Sequence, residues 1–262
     1  MHGSFSKSVL ALAFTAVATL STVPAHAQMG ADRDREKPVI YTYVSEWAVT
    51  RGEWPAYEKT IAADKQLFDK MIADGTLVSY GNFKNLVHQE GSPTHGDWWS
   101  ATSMANLMKA LSALMTQSSS PDPARVLGGA KHWDYILTSR QYGSHPGTYD
   151  NTFLRVGQYK AKPGESEAMD KAIKSYIVPT LEKMLAEGAI HFYSVDHEAI
   201  HTGDPGEVDV AVITNGADGL DKFYAALEAA GKANPSGPMA FTSTTDSSAH
   251  RDILALTSAT FK

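Results

Sequence analysis

The sequence predicts an α+β protein whose body is two tandem copies of one β-α-β-β-α-β unit. Sliding the chain on itself by 113 residues, a search that precedes any hunt for motifs, lays Lys70-Met71-Ile72-Ala73-Asp74-Gly75 on Lys183-Met184-Leu185-Ala186-Glu187-Gly188. At the same offset Tyr80 meets Tyr193, His88 meets His201, Leu107 meets Leu220, Lys109 meets Lys222 and Leu114 meets Leu227. With small insertions His132-Trp133-Asp134 meets His250-Arg251-Asp252, and the order of predicted elements repeats as well.

In the first copy, residues 39–49 are rich in β-branched and aromatic side chains and lie between Pro38 and Arg51-Gly52, which suits a strand. A helix follows, with Trp54, Tyr57, Ile61, Phe68, Met71 and Ile72 at helical spacing and Gly75 as its stop. Strands are expected near 77–88 and 97–103, joined by the turn-rich Glu90-Gly91-Ser92-Pro93. Met104, Leu107, Met108, Leu111, Leu114 and Met115 then mark a second helix, residues 116–131 a long loop, and 132–141 the closing strand. The second copy repeats this with strands at 153–159, 190–200, 208–213 and 251–259 and helices at 165–187 and 220–230, leaving 232–249 as a loop. Pro179 falls inside the first of these helices, where it removes a backbone hydrogen bond and should kink or split the helix after Val178. The organisation expected is a first repeat at 38–142, a linker at 143–150 and a second repeat at 151–262.

Ahead of the repeats, Lys7, an apolar run at 9–20 and Ala25-His26-Ala27 follow the order of a secretory signal, so residues 1–27 are read as a signal peptide and 28–37 as a charged, disordered leader. This implies a periplasmic or secreted protein. The apolar run is shorter than the roughly 20 residues that span a bilayer, and no later stretch is long enough, so no membrane span is expected. The formal net charge is −6, which disfavours nucleic acid as a partner, because that interaction rests on a basic surface. There is no cysteine, which excludes thiol catalysis, thiolate metal sites and iron–sulfur clusters and leaves stability to core burial.

A β-α-β-β-α-β unit is the ferredoxin-like plan, an antiparallel sheet with helices on one face. Alternation in the first strand of each copy sorts Ile40, Thr42 and Val44 with Thr152, Leu154 and Val156 on an aliphatic face, expected beneath the helices. Tyr41, Tyr43, Ser45 and Trp47 with Phe153, Arg155, Gly157 and Tyr159 form the other face, expected to line a lumen between the sheets. On the strength of element order and the shared helix-end motifs, the chain resembles the dimeric α+β barrel superfamily in a fused, two-copy form. The resemblance implies a single-chain barrel with a ligand pocket inside or between its halves, in a group that includes cofactor-free monooxygenases, small isomerases, stress-response barrels and haem-handling relatives. Further pairing into a homo-oligomer is compatible with it.

Two His-x-Asp pairs, His132 with Asp134 and His250 with Asp252, start the closing strands. Residues two apart on a strand share a face, so each Asp is placed to orient its His as a general base; the plainer reading makes them rim residues. Tyr41, Tyr43, Trp47, Trp99, Arg155 and Tyr159 are the expected pocket lining, with Arg155 suited to an anion; the plainer reading makes them core. His88 and His201 occupy equivalent places before the turn and complete the candidate ligand contacts; no His pair has a recognisable metal spacing, and no metal site is assigned. Phosphate loops, dinucleotide fingerprints and nucleophile elbows are absent from the sequence. The expected function is small-molecule binding in a barrel lumen, with cofactor-independent oxygenation or isomerisation of an aromatic or apolar ligand as its enzymatic form. A non-catalytic stress-response or interaction module and a haem-binding barrel are the alternatives; no cofactor is predicted, and haem is not excluded.

Overall fold

The computed structural model describes residues 37–117, 128–200, 202 and 206–262. The proposed signal peptide, all but the last residue of the leader, most of the 116–131 loop and His201 lie outside the described residues. The first repeat comprises β1 (Ile40–Ala48), α1 (Trp54–Ala73), β2 (Ser79–Asn85), β3 (His95–Ala101), α2 (Met104–Gln117) and β4 (Lys131–Ser144). The second comprises β5 (Gly147–Lys160), α3 (Ser166–Ala172), a π-helical turn (Ile173–Ile177), α4 (Val178–Ala186), β6 (Ile190–Ile200), β7 (Glu207–Thr214), α5 (Gly216–Ala233), α6 (Ser236–Thr244) and β8 (Arg251–Phe261).

The strands close into one antiparallel barrel in the order β1-β3-β2-β8-β5-β7-β6-β4. Each repeat supplies a four-stranded sheet with its first and third strands central, and the seams are β2–β8 and β4–β6. The closing strand of each repeat therefore pairs with the other repeat. A sheet closed this way leaves no edge strand with unpaired backbone groups.

Helices cover the outside of both sheets. Beneath α1 and α2 lie Tyr43, Phe68, Met71, Leu77, Trp99, Leu107 and Ile136, and the second helical layer buries Met169, Ile173, Leu181, Met184, Tyr193, Val210, Val212 and Phe223. Both long helices that open their repeats end in the αL turn read from sequence, Gly75 at φ 78° and Gly188 at φ 71°, a conformation that costs a side chain with Cβ. The break expected at Pro179 takes the form of the π-turn just before it. Val178 N–H reaches back five residues to the Ile173 carbonyl, and Pro179, with no N–H, sits in the first turn of α4 where none is needed.

Three expectations are corrected. The 143–150 linker is reduced to His145-Pro146, because β4 runs to Ser144 and β5 begins at Gly147. The 232–249 loop contains α6, whose Phe241 is buried in the second helix–sheet core; Pro238 falls in its first turn, where a missing donor is tolerated. The two faces of β1 and β5 are also exchanged: Ile40, Thr42, Val44, Leu154 and Val156 line the lumen, and Tyr43 packs beneath the helices. A closed barrel buries both faces of its sheet, so the alternation gives the phase correctly but polarity does not say which face is inside.

Candidate functional site

The lumen holds a cavity of about 310 Å³. Its body is apolar: Val44, Phe83, Trp98, Leu137, Leu154, Val156, Phe192, Ile213, Ile253 and Phe261 line it, with Phe192 stacked on Phe261 at 4.9 Å and Trp98 on Phe192 at 6.1 Å. One end is acidic. Strand register sets Gln158, Asp209, Asp196 and Ser139 side by side across β5, β7, β6 and β4, and Glu46 joins them from β1. Glu46, Gln158, Asp196 and Asp209 also face a mouth lined further out by Asp134, Glu198, Glu207 and Thr202.

Burial governs the chemistry of these carboxyls. Asp196, 6% exposed, accepts hydrogen bonds from the hydroxyls of Ser139 and Ser194, the latter at 2.5 Å. Burial pushes it up to about 6 although both hydroxyls favour its ionised form. Asp209 is pushed up to about 8, first by burial and then by the carboxylates of Asp196 and Glu207. Its Oδ1 is shielded from solvent and finds no hydrogen-bond partner. Burial also raises Glu46, 8% exposed, against a hydrogen bond from Tyr135. Neighbouring groups that titrate on either side of neutrality are equipped to accept and return a proton.

Both His-x-Asp pairs form, but outside the lumen. His132 Nε2 lies 2.8 Å from Asp134 Oδ1 and 2.9 Å from Ser45 Oγ, with Trp47 stacked on its ring at 3.5 Å. Burial holds His132 below its usual range, opposed by the Asp134 carboxylate. In the second repeat His250 Nε2 lies 3.2 Å from Asp252 Oδ2, its Nδ1 lies 3.0 Å from the Gln158 carbonyl, and Tyr159 stacks on its ring at 4.7 Å. The two clusters are counterparts, with Trp47 matched by Tyr159 and Tyr43 by Arg155. His132 and Asp134 reach the outer rim of the acidic mouth.

The expected aromatic lining is corrected along with the faces. Tyr43 stacks on Trp99 at 4.6 Å beneath the helices, Tyr41 packs against the same core, and Trp47 joins Trp54 and Tyr57 under α1. Arg155 donates to Asp252 at 2.5 Å and lies over the Phe223 ring, so its charge is engaged on the outer face. Tyr159 meets Phe241 edge-on at 4.9 Å on the same outer face. His88 is exposed beside Trp54, at 6.2 Å between rings. None of the seven described candidates lines the lumen, and His201 lies outside the described residues.

Sequence reasoning missed Glu46, Asp196 and Asp209, the polar group the lumen does contain. Glu46 and Gln158 continue the alternation of Ile40-Thr42-Val44 and Leu154-Val156; a charged residue ending an aliphatic face is the signal that could have marked that face as the one with an opening. It also missed Asp97, buried beneath α1 and raised to about 8 by burial and then by Asp64 and Asp134.

Among the described residues no imidazole lines the lumen, and these residues do not fit a histidine-ligated haem there. Among the described residues no three His, Asp or Glu side chains converge to hold a metal ion, and no helix is long and apolar enough to cross a membrane.

No protein-family profile and no curated protein sequence matches the chain. Its fold is matched by solved structures. A candidate monooxygenase from Fusobacterium nucleatum superposes with a TM-score of 0.61 at 10% identity, covering 86% of this chain and 95% of the other. One from Lactobacillus acidophilus gives 0.60 at 10% identity over 84% and 94%. An anthrone oxidase-like protein gives 0.51 at 9% identity over 85% and 92%. The architecture is thus an α+β barrel with a closed antiparallel sheet. The chain has the dimeric α+β barrel fold, with both halves contributed by one polypeptide.

Proposed function

We propose that this protein binds an apolar or aromatic small molecule inside the barrel and, in its enzymatic form, isomerises or monooxygenates it without a cofactor. The observation that carries this is the 310 Å³ chamber, apolar in its body and ending in carboxyls that titrate around neutrality. A purely structural module would be expected to fill that space with its own side chains. The volume falls at the small end of the range for small-molecule sites, about 300–1,000 Å³.

The chemistry within reach is proton transfer. At neutral pH the ionised Asp196 is the acceptor and the protonated Asp209 the donor, side by side on adjacent strands. An isomerisation needs no more: a proton leaves one carbon of the ligand for Asp196 and another returns from Asp209 to a second carbon. A monooxygenation would take dioxygen as second substrate, with the ligand supplying the electrons, one oxygen atom entering the product and the other leaving as water. The likeness to candidate monooxygenases and an anthrone oxidase-like protein agrees with this class at the level of fold. The His-x-Asp pairs become supporting groups at the rim in this reading.

The test is titration of 2-naphthol into the parent and into Leu154→Trp, whose indole occupies the chamber. The parent should bind one equivalent and the variant none, with circular dichroism confirming that both are folded. Equal binding by the two would remove the lumen from consideration. We also propose that the protein is exported and matures at Gln28, which N-terminal sequencing of protein released by osmotic shock would test.

A further inference from the structure

We propose that the lumen selects a ligand with a cationic head, a protonated amine on an apolar body, its nitrogen seated among Glu46, Asp196 and Asp209. The proposal rests on the lumen being the ligand site. The seat is built by register: neighbouring positions on three adjacent strands hold Gln158, Asp209 and Asp196, and β1 adds Glu46. Asp134, Glu198 and Glu207 extend the same sign of charge to the mouth, and no Lys or Arg is among its described lining. An anionic head entering by this mouth would meet like charge; the Lys on the chamber lining, Lys262, lies beside Val78 and away from the acidic end, and a wholly apolar ligand would leave Asp209 Oδ1 without a partner.

Divergence of the two repeats points the same way. At the repeat offset of 113, Asp196 corresponds to Phe83 and Asp209 to Gly96. The Phe83 ring lies over Gly96, where a Cβ would come within 2.3 Å of it. The wall supplied by the first repeat is therefore aromatic where that of the second is acidic. A carboxyl wall with an aromatic ring on the same chamber suits an ammonium group, which is attracted to both. The shielded Asp209 Oδ1, without a hydrogen-bond partner, is an acceptor for one of its three N–H donors. Since the acidic groups do not converge at metal-ligand geometry, an organic cation fits where a metal ion does not.

Seating an ammonium group displaces the proton held by Asp209. The groups facing that carboxyl are Asp196 and Glu198 on β6, Glu207 on β7, Gln158 on β5, Glu46 on β1 and Tyr135 and Asp134 on β4; the acidic ones oppose its ionisation, and the ammonium of the ligand supplies the positive charge that favours it. Proton release on binding and an affinity that rises between about pH 6 and pH 8 follow.

The experiment is calorimetric titration of the full chain with 4-phenylbutylamine, 4-phenylbutanol and 4-phenylbutanoate, in two buffers of different ionisation enthalpy to count released protons. The amine should bind at least about tenfold more tightly than the alcohol, the carboxylate most weakly, and Asp209→Asn and Glu46→Gln should each weaken the amine about tenfold while sparing the alcohol. Equal affinity for amine and alcohol would overturn the cationic preference while leaving the lumen a ligand site. Binding of none of the three would overturn the lumen reading and this proposal with it. Unchanged amine affinity in both variants, each folded by urea denaturation, would place the amine elsewhere and overturn the seat.

Discussion

Replacing Asp209 by asparagine should flatten the dependence of stability on pH around neutrality. Burial, with Asp196 and Glu207 beside it, pushes Asp209 up to about 8, against about 3.9 for an unperturbed aspartate. Between those values the folded chain holds a proton that the unfolded chain has released. Its contribution is complete below about pH 4 and is lost as pH rises through about 8, falling by about 1.4 kcal/mol per pH unit. Asp97, also raised to about 8, adds a similar slope from beneath α1. His95 acts in the opposite sense, because burial brings it down to about 4: it is neutral when folded and charged when unfolded, so stability rises with pH until about 6.5. Above that the histidine is neutral in both states and the carboxyls act alone. The parent should therefore lose roughly 3 kcal/mol per pH unit from about pH 6.5 to 7.5, and Asp209→Asn about half as much. For a chain of this size the parent's loss is a fall in Tm of about 6–12 °C per unit. Urea denaturation of both proteins at half-unit steps of pH measures the slopes, and parallel curves would show that Asp209 ionises normally and that the acidic end of the lumen is fully hydrated.

Other consequences are smaller in scope. Leu181→Ala, at a site 1% exposed in the second helix–sheet core, should cost about 2–5 kcal/mol in denaturant unfolding with no effect on ligand affinity at the lumen. Gly96→Ala should destabilise by about 1–3 kcal/mol, because the new Cβ would lie 2.6 Å from the Ser45 carbonyl as well as against Phe83 and the backbone cannot yield. His132→Ala and His250→Ala should leave 2-naphthol affinity unchanged, since neither ring reaches the chamber; a large loss in either titration would return the His-x-Asp pairs to the centre of the site.

The fold was legible because its strongest signals are local and occur twice. Lys-Met-aliphatic-Ala-acid-Gly at each helix end, Pro179 and the alternating strands all act within a few residues of themselves, and the structure places them as expected. The inner and outer faces were harder to assign. Tyr43 and Trp47 looked like pocket residues because they are large and amphipathic, yet the same properties let them pack under α1 and α2, where Trp47 donates to Ser45 and Tyr43 stacks on Trp99. The acidic end of the lumen was invisible for a different reason. Glu46 on β1 is far in sequence from Asp196 and Asp209 on β6 and β7, and the first-repeat counterparts of the two aspartates, Phe83 and Gly96, are not acidic, so a search for what the repeats share passes over them. The His-x-Asp pairs show the converse, since a motif present in both copies was easy to find and stands outside the chamber.

Methyl NMR on protein labelled at Ile, Leu and Val, titrated with 2-naphthol, tests the lumen most directly. A ligand in the barrel predicts shifts at Val44, Leu137, Leu154, Val156, Ile213 and Ile253, with Leu107, Ile173 and Leu181 beneath the helices unmoved. Shifts confined to the helix-covered methyls, or none at all at saturating naphthol, would contradict it.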